Sequence, residues 1–473
     1  MSVATTAGPA ATVDVAHEAS ISRIGPRTDG ADLRVTYGDL LRLAIFAGRE
    51  PAALNGAYAT ALAGYADVVA TLTTTDGLSF TDRAATIREA LPAIVLIVAG
   101  KSETERMLDL VEALRFACGH GETRPIVLVV ADEATRARIF ASAAPLLCEA
   151  VPSPAGRQGR EAIVARLRAL RRESSEVVLR DEAIEAAARS LAAASGRSTL
   201  LVDVTGASTS LALALPDGGI VAAHGHIGIG PGADRVVAHT GLDRVRRWMP
   251  GPIDAPALLE RVFNRARWPD AVAPNALALL LEMSLAREAL AQVLHEAERA
   301  GLDVAAMRAA RAVVATGDLA RLPRAAQTAL VVIDALGSGA TLLLSRERPD
   351  ALVVAGAIAS RAATDVTAAT EDLAHVIASW PKRAHTLTVV DENGAAVERV
   401  VRGAFLLMPT TGPSTVTVSG SRDRHTTGAL VLGVIADARG RPLELPPRDA
   451  DRIPTIARWY SALAALPLEG ATL

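Results

Sequence analysis

Aromatic side chains are scarce in this chain, at 3% of its 473 residues. Half of the residues are apolar, so Ala, Val and Leu must fill the core, and helices are expected to pack closely along Ala-lined faces. Cysteine is nearly absent. Cys118 and Cys148 are the whole supply, which excludes a disulfide framework and fits a reducing compartment. Each reads as a buried or inert thiol. The nine histidines are scattered without metal-ligand spacing. Neither sign of charge dominates: the net charge of −3 leaves no electrostatic footprint for nucleic acid. Long hydrophobic runs are also missing. The longest, Ala93–Gly100 and Ala351–Ile358, are about eight residues, against roughly 20 for a membrane span. Residues 1–12 lack the basic region and apolar stretch of a secretory signal. The expectation is a cytoplasmic protein without a membrane or nucleic-acid partner, built from about two to four domains.

What the chain does have is strong local patterning. Residues 1–35 are rich in Ala, Thr, Gly and Asp without periodicity and read as a flexible tail. Residues 36–180 read as an N-terminal α/β region. Helical patterns cover Tyr37–Ala47, Ala52–Gly64, Asp82–Leu91, Glu103–Cys118 and Asp132–Ala144. Strands are expected at Asp67–Thr74, Ala93–Ala99 and Pro125–Ala131. Strands as apolar as AIVLIVA, alternating with helices, imply a parallel sheet covered on both faces. Gly156–Leu179 reads as a charged helix. Its Arg166–Arg172 stretch is either a basic contact patch or, favoured by the interleaved Glu161, Glu173 and Glu176, a solvated face.

Residues 181–380 open with an Ala-rich helix, Asp181–Ser195. The stretch Leu200–Leu215, LLVDVTGASTSLALAL, follows as a strand-turn-strand unit, then a third antiparallel strand, Ile220–His226. Asp203 ends the first strand, and Thr205, Gly206, Ala207, Ser208, Thr209 and Ser210 form a turn without a bulky side chain. Such a turn lets amides and hydroxyls approach an anion, and an acid beside it can hold a hydrated metal. It reads equally as a hairpin built from turn-friendly residues. Gly228, Gly230 and Gly232 precede a helix from Ala233, where they either free amides for an anion or only end the strand. Helices are expected over Pro256–Arg267 and Asn275–Ala300, with a strand at Arg311–Asp318 ending in a Gly317 turn, and Arg324–Leu336 reads as helical or buried. Leu342–Leu344 and Ala351–Ala355 are short apolar segments, the second running into Gly356 and a helix to Trp380. From about 384 the period becomes two. Residues 381–473 read as a small β-rich C-terminal domain closed by a helix, Ile453–Leu463.

A three-stranded meander opening on Asp-x-x-Gly, then long helices, then a strand ending in Gly resembles one lobe of the actin-like (ribonuclease H-like) ATPase fold, shared by actin, heat-shock chaperones and sugar kinases. Within it the chain is most similar to the MutL-like (GlmL-type) proteins encoded beside adenosylcobalamin-dependent glutamate mutase. The landmarks are AIVLIVAGKSE (93–103), RPIVLVVADEATRARIF (124–140), LLVDVTGASTSLAL, the run from HGHIGIGPGADRVVAHTGLDRVRRWMP (224–250) to SLAREAL (284–290), and GALVLGVIADARGRPLELPP (428–447). They span roughly residues 60–463, and their order is more specific than any one of them. The fold this implies is α/β: an actin-like ATPase lobe preceded by a parallel α/β segment and followed by the β-rich domain.

The resemblance implies ATP and Mg²⁺ as ligands, with Asp203 near the metal. Thr205, Gly206, Ser208 and Thr209 would stand at the phosphates, Gly228 and Gly230 in the glycine-rich turn, and Gly317 beside adenosine. The chain also departs from the family. Thr205 replaces a glycine, Ser210 replaces an acid, and residues 1–60 contain no match to the family's first phosphate turn. Because phosphoryl transfer relies on positioning from both sides, the expected role is a divergent accessory or reactivation protein for a cobalamin-dependent mutase, with weak or lost ATP binding. The alternative is a non-catalytic actin-like scaffold without a ligand. A sugar or acid kinase would need a substrate-activating carboxylate and a complete adenosine loop, and neither is found.

Overall fold

The computed structural model describes residues 22–24, 33–36, 38, 40–119, 124–172, 177–269, 271, 273–349, 351–377, 385–401, 403, 405–419 and 424–466. They group into two compact units. One holds Met1–Leu179 with Ala223–Gly225 and Glu296–Leu302, and the other holds Arg180–Ala222, His226–His295 and Asp303–Leu473. Among the described residues no helix is long and apolar enough to cross a membrane. Most of the stretch expected to be a flexible tail lies outside the described residues.

In the first unit, strands β1 (Leu41–Ala47), β2 (Ala66–Thr73), β3 (Ile94–Val98), β4 (Ile126–Val130) and β5 (Leu147–Ala150) form one sheet in the order β2-β1-β3-β4-β5. Every neighbouring pair is parallel. Helices α1 (Pro51–Ala63), α2 (Phe80–Ala90), α3 (Thr104–Cys118) and α4 (Glu133–Ala143) make the crossovers, and α5 (Arg157–Arg171) follows β5. Successive strand residues face opposite sides. Phe46, Ile97 and Val129 pack with Ile87, Leu110 and Ile139 of α2–α4. Leu43, Leu96 and Leu128 pack with Ala57 of α1 and Leu167 of α5. The acid-rich start expected for α4 acts as a cap: the Asp132 carboxylate accepts from the amides of Ala134 (3.1 Å) and Thr135 (3.2 Å).

Three expectations are corrected here. The stretch Tyr37–Ala47 is not a helix. Tyr37 lies outside the described residues, and Leu41–Ala47 is a strand between two parallel neighbours. Gly156–Leu179 is not one helix: α5 stops at Arg171, and Val177–Leu179 is a strand in a small sheet with Ser22–Ile24 and Leu33–Thr36. Arg166–Arg172 is not a uniformly solvated face. Arg166 pairs with Glu149 at 2.5 Å, and Arg171 is buried with its guanidinium 4.4 Å from the Tyr65 ring centre. Glu173 and Glu176 lie outside the described residues.

The second unit opens with α6 (Arg180–Ser195), β6 (Thr199–Val204) and β7 (Thr209–Ala214), followed by β8 (Ile220–Gly225), whose last three residues group with the first unit. Helices α7 (Ala233–Thr240), α8 (Leu242–Arg246), α9 (Ala255–Arg267), α10 (Ala276–Arg299) and α11 (Val304–Arg308) follow. Then come β9 (Ala312–Gly317), α12 (Ala325–Leu336), β10 (Leu342–Glu347), α13 (Ala351–Ala359) and β11 (Thr370–Ile377). The remainder is β12 (His385–Asp391), β13 (Ala396–Val401), β14 (Phe405–Met408), β15 (Ser414–Val418), β16 (Arg424–Thr427), β17 (Gly433–Asp437) and α14 (Asp449–Ala462).

Its main sheet runs β8-β7-β6-β9-β10-β11-β17-β14. β6 and β7 form the antiparallel hairpin, and β9 lies parallel to both β6 and β10. A four-stranded antiparallel sheet, β13-β12-β15-β16, packs on its far end through Ile377, Val389, Val416 and Val434. The helix expected to run to Trp380 is another correction. α13 ends at Ala359 and Thr370–Ile377 is a strand, while Trp380 lies outside the described residues. Strands β14 and β17, from the stretch expected to form a separate β-rich domain, extend the main sheet.

A buried ionic clasp ties α10, α12 and α14 to the end of β17. Asp334 accepts from Arg287 Nε and from Arg439 Nη2, each at 2.8 Å. Arg439 also reaches both oxygens of Asp437, at 2.9 and 3.0 Å, and Arg287 donates to the Tyr460 hydroxyl at 3.0 Å. Burial pushes the Asp437 carboxyl up, but Arg439 and Arg441 outweigh it and hold that group below the usual carboxylate range. The guanidinium of Arg439 lies 3.4 Å from the Phe405 ring centre and 4.4 Å from that of Trp459, a doubly aromatic setting that compensates part of its desolvation.

Candidate functional site

The hairpin expected from sequence forms, with Thr209 opposite Val204 and Ser210 opposite Asp203. Parallel pairing then sets Thr316 of β9 beside Asp203 and Gly317 beside Val204. The fold therefore brings Asp203, Thr205, Gly206, Ser208, Thr209 and Gly317 to one end of the central strands. Gly228 and Gly230 arrive there from the loop after β8, through backbone bonds to the turn.

These residues mostly satisfy one another. The Thr205 amide donates to the Ser208 carbonyl at 2.8 Å, and the Ser208 amide donates to Thr205 Oγ1 at 3.2 Å. The Thr209 hydroxyl donates to the Ile227 carbonyl at 2.9 Å. The glycine-rich segment lies directly over the turn. The amide of Ile229 donates to the Thr205 carbonyl at 3.0 Å, and those of Gly230 and Gly232 donate to the Gly206 carbonyl at 2.8 and 2.9 Å. Only glycine permits this approach at 228, where a Cβ would stand 2.3 Å from the Thr205 carbonyl oxygen. Ser208 and Thr209 are fully buried and only Ala207 of the turn is exposed.

Asp203 is 1% exposed, and a single guanidinium takes both of its oxygens: Arg180 donates from Nε and from Nη2, each at 2.8 Å. Arg180 is the first residue of α6. Around this pair stand Asp318 with Arg321 at 3.6 Å, and Glu282 with Arg265 at 3.3 Å. Loss of solvent pushes the Asp318 carboxyl up; Arg321 and Arg180 oppose that and Asp203 adds to it. Burial likewise raises Glu282, against Arg265 and with Asp318.

Sequence reading missed Arg180, Glu282, Arg265 and Arg321. One signal was present. An arginine at the first position of a helix opposes the macrodipole, which suggests a nearby acid that holds it there.

Mg²⁺ and a polyphosphate can be tested against this donor set. Both Asp203 oxygens are engaged by Arg180, and the amides of Thr205, Ser208 and Gly230 are engaged by the chain itself. Among the described residues no group of three or more His, Cys, Asp or Glu could hold a metal ion. The residues present do not fit the pair of ligands in this arrangement.

Two other places in the fold bear on ligand binding. In the first unit, the crevice beyond the carboxyl ends of β1 and β3 is where the strand order reverses, the usual ligand position in such sheets. The Glu103 carboxylate fills it, accepting from the Arg49 amide at 2.9 and 3.0 Å and from the Thr74 hydroxyl at 3.2 Å. In the second unit, a cavity of about 620 Å³ is lined by Thr199, Ala312, Val314, Leu343, Ser345 and Asp372, among others. Its polar side chains are largely used internally: Ser345 donates to Asp372 at 2.7 Å, and Thr199 donates to the Arg197 carbonyl at 3.2 Å. No family model matches the chain, and no curated protein matches it.

Proposed function

We propose that the chain is a non-catalytic actin-like scaffold of the MutL-like accessory type, which acts through protein contacts without a bound nucleotide. A cobalamin-dependent mutase is the partner that the sequence resemblance implies. The order of strands in the second unit, an antiparallel three-strand meander followed by two parallel additions, supports an actin-like, ribonuclease H-like lobe. The observations that carry the loss of nucleotide are the Arg180–Asp203 pair and the Gly228–Gly232 segment bonded over the turn. A carboxylate already held by a two-pronged guanidinium bond, among the strongest hydrogen-bonded ion pairs, is not free for a hydrated metal. Turn amides that already donate cannot receive a phosphate.

Thermal melting with and without Mg-ATP tests this reading. A ligand at 100 times its dissociation constant stabilises the native state by about 2.7 kcal/mol, so a working site gives a clear upward shift at millimolar nucleotide. The expected result is none. A shift that disappears in Asp203→Ala would restore the reading in which ATP binds weakly and biases closure.

A further inference from the structure

The cavity of about 620 Å³ in the second unit lies toward the amino ends of β6 and β9, where Thr199 and Ala312 begin the two strands. The hairpin turn is at their other end. The floor of the cavity is apolar, with Leu191 of α6, Val314 of β9, Leu343 of β10 and Leu430 before β17. Hydroxyls around it are spent inside the chain. Ser195 donates to the Leu191 carbonyl at 2.8 Å, Thr370 to the Thr367 carbonyl at 3.0 Å, and Thr367 to Asp365 Oδ1 at 2.7 Å. Of the nearby acids, Glu371 is held by Arg346 Nε at 2.5 Å, and the buried Glu347 accepts from the Thr316 hydroxyl.

Two charged side chains of the wall keep hydrogen-bonding capacity among the described residues. Arg348 is exposed and uses only Nε, toward the Thr370 carbonyl at 3.4 Å, which leaves both terminal nitrogens. Asp372 is also exposed and uses Oδ1, accepting from Ser345 at 2.7 Å, which leaves Oδ2. Antiparallel pairing sets Ser345 opposite Asp372 and Glu347 opposite Thr370. The Arg348 guanidinium, at Thr370, is thus two residues along β11 from Asp372, or about 7 Å. That span suits an ammonium and a carboxylate carried on one carbon, each making its own charge-assisted bond of about 2.8 Å.

We infer that this cavity binds a free α-amino acid with a bulky apolar side chain. Arg348 takes its carboxylate, Asp372 takes its ammonium, and the side chain lies on the Leu191, Val314, Leu343 and Leu430 floor. A plain carboxylic acid would set its charge beside an unsatisfied Asp372, and a plain amine would set its charge beside Arg348, so a zwitterion alone complements both. The cavity volume falls within the roughly 300–1,000 Å³ of small-molecule sites and leaves room for an aromatic ring. Such a site is independent of the state of the hairpin turn and of any protein partner.

Isothermal titration calorimetry on the full chain tests this with L-phenylalanine and three analogues: hydrocinnamate, which lacks the ammonium, phenethylamine, which lacks the carboxylate, and glycine, which lacks the ring. L-Phenylalanine should bind saturably, and each analogue at least about tenfold more weakly. Arg348→Ala should weaken L-phenylalanine about tenfold and leave phenethylamine no weaker. Asp372→Asn should weaken L-phenylalanine about tenfold and leave hydrocinnamate no weaker. Circular dichroism checks both variants; should either misfold, the four-ligand comparison on the wild type decides alone. No saturable L-phenylalanine binding at millimolar concentration overturns the inference, as does any analogue binding as tightly, or affinity unchanged in either folded variant. A melting shift with Mg-ATP concerns the hairpin turn alone, so the two failures are distinguishable.

Discussion

Replacing Asp334 with alanine removes the acid at the centre of the ionic clasp. Its side chain is 2% exposed, and it compensates Arg287, 1% exposed, and Arg439, also 1% exposed. The two arginines are left unequal. Arg439 keeps both oxygens of Asp437. Arg287 keeps the Tyr460 hydroxyl and the Met283 carbonyl but no anion among the described residues. Breaking a buried pair from one side costs about 3–5 kcal/mol. The rings of Trp248 and Tyr460, 5.0 and 5.3 Å from the Arg287 guanidinium, face it with or without Asp334 and so leave the difference unchanged. The expected loss is therefore about 3–5 kcal/mol. The same reasoning makes a second, sharper statement: removing charge from both sides, in Asp334→Leu/Arg287→Met, recovers most of that loss, because apolar side chains of similar volume carry no desolvation cost. Urea unfolding followed by tryptophan fluorescence reads it, since Trp248 and Trp459 both adjoin the clasp. The shift in midpoint should come without a change in slope. A single variant within about 1 kcal/mol of wild type, or a double variant no better than the single, refutes the assignment of the energy to an uncompensated Arg287.

Three further outcomes follow from the geometry. His375 is pushed down to about 4, chiefly by burial and then by His425 and Arg197. The unfolded chain therefore binds more protons between roughly pH 6.5 and 4, and stability falls as pH drops through that window, by about 3 kcal/mol at most; His375→Gln should flatten the acid limb of a melting-temperature profile. In Gly48→Ala, the new Cβ would stand 1.7 Å from Glu103 Oε2. The carboxylate must then leave the Arg49 amide, at a cost of about 0.5–1.5 kcal/mol because that amide is exposed, and hydrogen exchange at that amide should accelerate. Burial raises the thiols of Cys118 and Cys148, the first against Arg88. Both are free, so labelling by a disulfide reagent at mildly alkaline pH should be slower than in the denatured chain, and equal rates would contradict the burial.

The elements that the sequence made legible are those whose pattern is local. AIVLIVA and PIVLVVA are too apolar for anything but strands covered on both faces, and the hairpin is announced by two apolar runs around a small-residue turn. Leu41–Ala47 was illegible for a physical reason. Burial on both faces erases the period of two, leaving Leu, Ala and Arg, which favour helices when neighbours are ignored. Thr370–Ile377 fails similarly, because an Ala-rich approach masks a strand that only its partners β10 and β17 stabilise. At the site, the residue types near Asp203 were readable but their state was not. The turn chemistry serves a phosphate or a self-contained hairpin equally well. Arg180 lies 23 positions away and meets Asp203 only once α6 has packed on the sheet.

The Glu103 carboxylate in the first unit and the Arg180 guanidinium in the second have a shared consequence for competition. A group tethered by a short flexible arm presents itself to its own crevice at an effective concentration of about millimolar or more. A free metabolite or ion that carries the same charge and binds no more tightly than the tethered group must exceed that level to displace it. Ordinary swings in the supply of such small molecules then leave both positions unchanged, whereas a ligand that engages additional surface at the same time, as a docking macromolecule does, gains the interaction needed to dislodge either arm.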